Sequence, residues 1–92
     1  MAIYVVGYDI HPQKGETYES LIKALQTIGD DWWHCLDSTW LIKTPMSALD
    51  LTNAIWKHMR ADDQLLVVKY DPPHSAWNGF KDDCNDWLKR NM

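Results

Sequence analysis

Apolar positions recur along this chain with two different periods, and the switches between them lay out its elements. Ile3-Tyr4-Val5-Val6-Gly7-Tyr8-Asp9 is an apolar run, rich in β-branched and aromatic residues, that ends in a carboxylate. It predicts a strand. Ile3, Val5 and Gly7 fall on one face and Tyr4, Val6 and Tyr8 on the other. Apolarity on both faces predicts a strand interior to its sheet and covered on both sides. A loop follows at Ile10-His11-Pro12-Gln13-Lys14-Gly15, punctuated by Pro and Gly. The spacing then changes to three and four: Tyr18, Leu21, Leu25 and Ile28, widened by Ile22 and Ala24, predict a helix from about Thr17 to Ile28. Gly29 stands where a left-handed C-cap falls.

Asp30-Asp31 reads as a turn, Trp32–Leu36 as a second strand and Asp37-Ser38 as a hairpin turn. Thr39–Thr44 is the third strand, with Trp40 and Ile42 on one face and Thr39, Leu41 and Lys43 on the other, and Pro45 ends it. Ser47, with Asp50 three residues later, marks the start of a second helix. That helix is expected to reach about Arg60 on a stripe of Ala48, Leu51, Ile55 and Met59, with Trp56 beside it. Ala61-Asp62-Asp63 is its exit turn and Gln64–Tyr70 the fourth strand. Beyond the break at Asp71-Pro72-Pro73-His74-Ser75, Phe80, Cys84, Trp87 and Leu88 predict a third helix from about Gly79 to Lys89. Its other face carries Asp82, Asp83 and Asp86.

The order β-α-β-β-α-β, followed by a helix, predicts one α+β domain over residues 1–92: a ferredoxin-like sandwich over about 3–70 and an extension over 71–92. The implied strand order is 4-1-3-2, with the first strand interior. Both leading helices then cover one sheet face. The other face needs a cover, either the C-terminal helix or, better, a second copy. A homodimer through that face is expected, with Tyr4, Tyr8 and Trp40 as interface residues. The same topology places Asp9 beside the Asp37-Ser38 hairpin and near the Asp62-Asp63 turn. Asp71 and His74 fall at the opposite end, near Asp30, so Asp9 and Asp71 do not meet within one chain.

Composition adjusts this picture in three places. The chain has 92 residues and six Trp, more indole than a small core absorbs, so aromatic surface is expected for a partner. A formal net charge of -4 and a pI of about 5.3 weigh against unassisted binding to a nucleic-acid backbone, which needs clustered Lys and Arg. A metal-bridged phosphate contact is compatible with that charge. Cys35 and Cys84 have no short spacing and read as free buried thiols in a reducing cytoplasm. No signal-peptide pattern or long apolar span is visible, so neither export nor membrane insertion is indicated and a cytoplasmic location is expected.

The candidate chemistry centres on Asp9. A carboxylate at the mouth of a buried strand can ligate a metal, act as a base or cap the loop that follows. His11, two residues on, points the same way if the strand persists, and can serve as base or ligand or stand as a solvated loop histidine. Ser38 and Thr39 read as turn formers, since local sequence places no base beside them. His34 reads as a packed core residue. No phosphate-cradling glycine loop, zinc-ligand spacing or heptad repeat is present.

Tyr4-Val5-Val6-Gly7-Tyr8-Asp9-Ile10, followed by a loop and an amphipathic helix ending in Gly29, resembles the opening of the small CRISPR-associated nuclease that partners the spacer integrase. It also resembles VapD-type toxins, which share that fold. Trp32-Trp33-His34 and Ser38-Thr39-Trp40 look closer to small relatives of this superfamily labelled SinR-like. The resemblance extends over roughly Ile3 to Tyr70. It implies a symmetric dimer in which two copies of Asp9 hold a Mg²⁺ ion and carry phosphodiester cleavage of RNA or DNA. One departure is plain: the CRISPR-associated members carry an arginine-rich loop after the aspartate, where this chain has His11-Pro12-Gln13-Lys14-Gly15. The alternative function is a non-catalytic dimeric module that binds a protein or nucleotide and keeps the fold without the chemistry.

Overall fold

The apolar run near the N-terminus forms β1, Ala2–Asp9, and the rest of the sheet is built on its two edges. The computed structural model describes residues 1–11, 18–71 and 75–91. Antiparallel partners flank β1 on both sides: β3, Thr39–Thr44, and β4, Gln64–Lys69. β2, Asp31–Leu36, pairs with the far edge of β3. The sheet order is therefore β2-β3-β1-β4, which is 4-1-3-2 read from the other edge. The chain is an α+β protein with one four-stranded antiparallel sheet and, among the described residues, three helices. The pleat puts successive side chains on opposite faces, so the doubly apolar β1 feeds two cores.

On the first face Tyr4, Val6, Trp40 and Ile42 pack against Leu21 and Leu25 of α1, Glu19–Thr27, and Leu51 and Ile55 of α2, Ala48–Trp56. On the second face Ile3, Trp33 and Leu41 pack against Trp87 and Leu88 of α3, Asp82–Asn91. Three polar contacts seat α3. The Trp33 Nε1–H donates to the Cys84 carbonyl at 3.1 Å, the Trp87 Nε1–H to Asp31 Oδ2 at 2.9 Å, and Lys43 Nζ to Asn91 Oδ1 at 3.1 Å. The indole excess is thus largely absorbed within the chain: Trp33, Trp40 and Trp87 are buried, while Trp32 and Trp56 keep exposed edges.

Several expectations are corrected here. Cys35 and Cys84 are not free thiols. They form a disulfide between β2 and α3, with Cα atoms 6.3 Å apart. Their 49-residue separation carried no local signal; the sheet brings them together. Tyr4, Tyr8 and Trp40 face α1 and α2 rather than a partner. The Tyr4 hydroxyl donates to the Met46 carbonyl at 2.8 Å, and the Trp40 Nε1–H donates to the Tyr8 hydroxyl at 3.1 Å. These rings belong to the chain's own core. The second sheet face is not left open for a second copy either, since α3 lies over its β2–β3 half. Leu36, Leu66 and Val68, at 47%, 65% and 48% exposure, mark what stays uncovered.

The helix ends also move, each for a local reason. α2 stops at Trp56 rather than Arg60. His58 and Met59 donate back only three residues, to Ile55 and Trp56, and Asp63 Oδ2 takes the Arg60 N–H. α3 starts at Asp82 rather than Gly79, because Gly79 is left-handed at φ +88°. α1 starts after Tyr18, which is left-handed at φ 54°; Tyr18 lies outside the helix but still packs against the core that Leu21 and Leu25 enter. The start expected at Thr17 and the position of His74 lie outside the described residues. Ser47 caps α2 as expected, its Oγ accepting the Asp50 N–H at 3.1 Å. Among the described residues no helix is long and apolar enough to cross a membrane.

Candidate functional site

Three elements converge at the C-terminal end of β1. Asp9 pairs with Gln64 at the start of β4, and Gly7 pairs with Thr39 on one side and Leu66 on the other. The Tyr8 N–H donates to the Ser38 carbonyl at 3.1 Å, which ties the Asp37-Ser38 hairpin to β1. Asp9 therefore lies beside that hairpin and near the Asp62-Asp63 turn, as the topology predicted. An open recess of about 380 Å³ is lined here by Gly7, Asp9, Ser38, Thr39, Gln64 and Leu66, among others. Directly paired residues share a face, so Gly7, Thr39 and Leu66 form its floor, and Asp9 and Gln64 stand at its polar end.

His11 does not share the direction of Asp9. β1 ends at Asp9, so the alternation that aligned the two residues ends there as well. Instead, the His11 backbone N–H donates to Asp63 Oδ1 at 3.0 Å, and its ring Nδ1 lies 3.7 Å from the same oxygen. The ring is 55% exposed, while the Asp63 side chain is fully buried. Asp63 is the residue that sequence reasoning missed. Its carboxylate accepts the Arg60 N–H at 2.8 Å and the Tyr18 hydroxyl at 2.9 and 3.0 Å, besides the His11 N–H. In sequence it is one of two adjacent aspartates in a turn, and only the fold distinguishes the one that points inward.

The electrostatics follow from these contacts. Burial pushes the Asp63 pKa up. The N–H groups of Arg60 and His11, the Tyr18 hydroxyl and the charge of a protonated His11 pull it down and prevail, so the carboxyl sits below its ordinary range. Asp63 is thus an anion whose lone pairs are engaged within the chain. It can hold the His11 ring in place, and it has little left to offer a metal. Asp9 differs: it is exposed at the rim of the recess, open to a ligand. Among the described residues no group of three His, Cys, Asp or Glu side chains stands close enough to hold a metal ion. A cation at Asp9 would take its remaining ligands from substrate oxygens and water, which suits Mg²⁺.

The other candidates take structural places. His34 stacks on Trp40, with ring centroids 3.9 Å apart and planes 12° from parallel. Its pKa is lowered because burial outweighs the opposing pull of Asp37 and a backbone hydrogen bond at Leu36. Ser38 adopts φ 61° in the hairpin, and Thr39 opens β3. Both line the recess, which the turn-forming reading of Ser38 and Thr39 did not anticipate.

Comparison of the chain with protein-family models, with curated proteins and with solved structures finds no match.

Proposed function

We propose that this protein is a metal-dependent phosphodiesterase acting on RNA or DNA, with Asp9 holding the cation and His11 serving as general base. The reading takes up the resemblance of the Tyr4–Ile10 stretch to the CRISPR-associated and VapD-type nucleases and their ferredoxin-like sandwich. The observation that carries it is the exposed carboxylate of Asp9 at the rim of the recess where β1 ends. Asp9 is free for a cation, and Asp63 fixes the backbone of His11 while the ring remains open to solvent. Bound Mg²⁺ would polarise a phosphoryl oxygen and lower the pKa of a coordinated water. The chain's own contribution is to orient the phosphate at Asp9 and to accept a proton at the His11 ring. Its net charge of -4 gives little hold on the phosphate backbone, and a cation held at Asp9 would offset that repulsion.

The decisive assay is cleavage of single-stranded and duplex RNA and DNA with Mg²⁺ or with EDTA. Wild type is expected to cleave only with Mg²⁺. Asp9→Ala is expected to abolish turnover, and His11→Ala to reduce it by roughly 10²–10⁴-fold. Cleavage that survives Asp9→Ala would sink this assignment. A second reading, a non-catalytic dimeric module for a protein or nucleotide, draws on the exposed Leu36, Leu66 and Val68. It takes precedence if no nucleic acid is cut and the protein is a dimer in solution.

A further inference from the structure

Gly7 stands in the interior of the central strand, where glycine is the poorest choice on strand propensity. The usual structural reasons for it are missing. Its pairing with Thr39 and with Leu66 runs in continuous register on both sides, without a bulge in β1. Its backbone is not left-handed; Gly79 is the glycine with positive φ among the described residues. A Cβ built on Gly7 meets no heavy atom within 4 Å, so nothing in the chain needs the room that glycine leaves. Gly29 is the opposite case: a Cβ there would meet Ile42 Cγ2 and the Lys43 carbonyl oxygen at 2.7 Å. One glycine lets the chain approach itself. The other keeps a flat strip of peptide clear, and a glycine within a strand that serves no internal contact marks the close approach of something from outside.

The surroundings of that strip say what fits. Its floor is peptide, with Leu66 on one flank and Thr39 on the other, and Asp9 and Gln64 form the polar end. A planar heteroaromatic ring, apolar on its faces and polar at its edge, matches that distribution. An acidic chain also cannot draw a nucleic acid by backbone charge, so any affinity beyond the cation has to come from base faces and base edges. We infer that the recess over Gly7 seats an unpaired nucleobase of the substrate, its face on the Gly7 peptide and its edge toward Gln64 and Thr39, with the attached phosphate directed to Asp9. This deepens the nuclease reading and rests on it for the role of Asp9: the substrate class becomes single-stranded nucleic acid.

The test uses nucleosides, which have a base and no scissile bond. The full chain, ¹⁵N-labelled and without metal, is titrated with guanosine, adenosine, cytidine and uridine while backbone amide shifts are followed. Saturable shifts are expected at Gly7, Thr39, Gln64 and Leu66 for at least one nucleoside. Gly7→Val should weaken that binding tenfold or more and leave the melting temperature equal or higher, since the new side chain fills space the fold does not use. Gly7→Ala, a smaller intrusion, should weaken it several-fold. A merely structural glycine gives the reverse pattern. Melting that falls in either variant, shifts unchanged by Gly7→Val, or no shifts in wild type overturn the inference. So does a wild-type dimer that Gly7→Val turns into a monomer, which assigns the recess to a second copy. The nuclease reading fails separately: nucleoside shifts retained in a protein that cuts nothing leave the recess standing and remove the catalysis.

Discussion

Asp63 holds together the end of the sheet where Asp9 emerges. It takes one N–H from the loop after β1, one from the turn after α2 and the hydroxyl of Tyr18, whose left-handed backbone needs an anchor of this kind. Asparagine in its place keeps one acceptor oxygen and turns an NH₂ group toward donors. Asp63→Asn is therefore expected to destabilise the fold by about 2–3 kcal/mol in urea or thermal melts. The pH dependence has a definite sign. The folded pKa lies below the unfolded value, so the carboxylate's contribution is full above about pH 4 and is lost as pH falls through the folded pKa. Wild type should lose stability over that acid window, and Asp63→Asn should flatten that part of the curve. At this scale the chain was partly legible. The place of Asp9 at the sheet end was legible because an apolar strand ends in it. Asp63 was not, because adjacent turn aspartates look alike until one is turned inward. Gly29, expected as a left-handed C-cap, has no positive φ and instead lets Ile42 and Lys43 approach, whereas the open face of Gly7 carried no signal in sequence.

The element that departs most from expectation is α3. Burying Trp87 and Leu88 contributes about 1.5–3 kcal/mol for each side chain, and the Cys35–Cys84 bond closes a loop that should add about 2–4 kcal/mol. The two contributions are comparable, so reduction should loosen α3 without releasing it from the sheet. The expected outcome for the Cys35→Ala/Cys84→Ala variant, or for wild type in dithiothreitol, is a lower melting temperature with native far-UV dichroism near ambient temperature. Complete unfolding on reduction would show the bond to be indispensable. The disulfide also removes the pair of reduced thiols on which the cytoplasmic expectation partly rested. Strand order, strand faces and the three helices were legible because periodicity reports burial. Helix ends were not, since Tyr18, Asp63 and Gly79 fix them through contacts and backbone angles that the pattern does not encode. The disulfide was invisible for the same reason: it depends on a helix crossing the second sheet face.

For the molecule as a whole, the balance between monomer and dimer turns on how much of that face remains. A stable, specific interface buries on the order of 1,200–2,000 Å² in total. Leu36, Leu66 and Val68 are exposed on a face that α3 half covers, and each copy carries a charge of -4. Light scattering across a concentration series is expected to give a mass near 10.8 kDa. A concentration-independent value near twice that would show two copies joined, the arrangement the resemblance implies for a shared Asp9 site, and the cleavage assay then separates the nuclease from the binding module.

The position of β1 at the centre of the sheet has a further consequence in time. β2 and β3 meet across a tight hairpin as soon as both exist, but β1 waits for Thr39–Thr44 on one edge and Gln64–Lys69 on the other. During synthesis Ile3–Tyr8 leaves the ribosome well before either partner, as an uncharged apolar segment of the kind that self-associates, and its pairings are the non-local ones that form slowly. The strand that joins the finished sheet is thus the longest exposed in the nascent one. How well that segment is sheltered, more than the stability of the completed fold, should govern how much soluble protein a cell recovers.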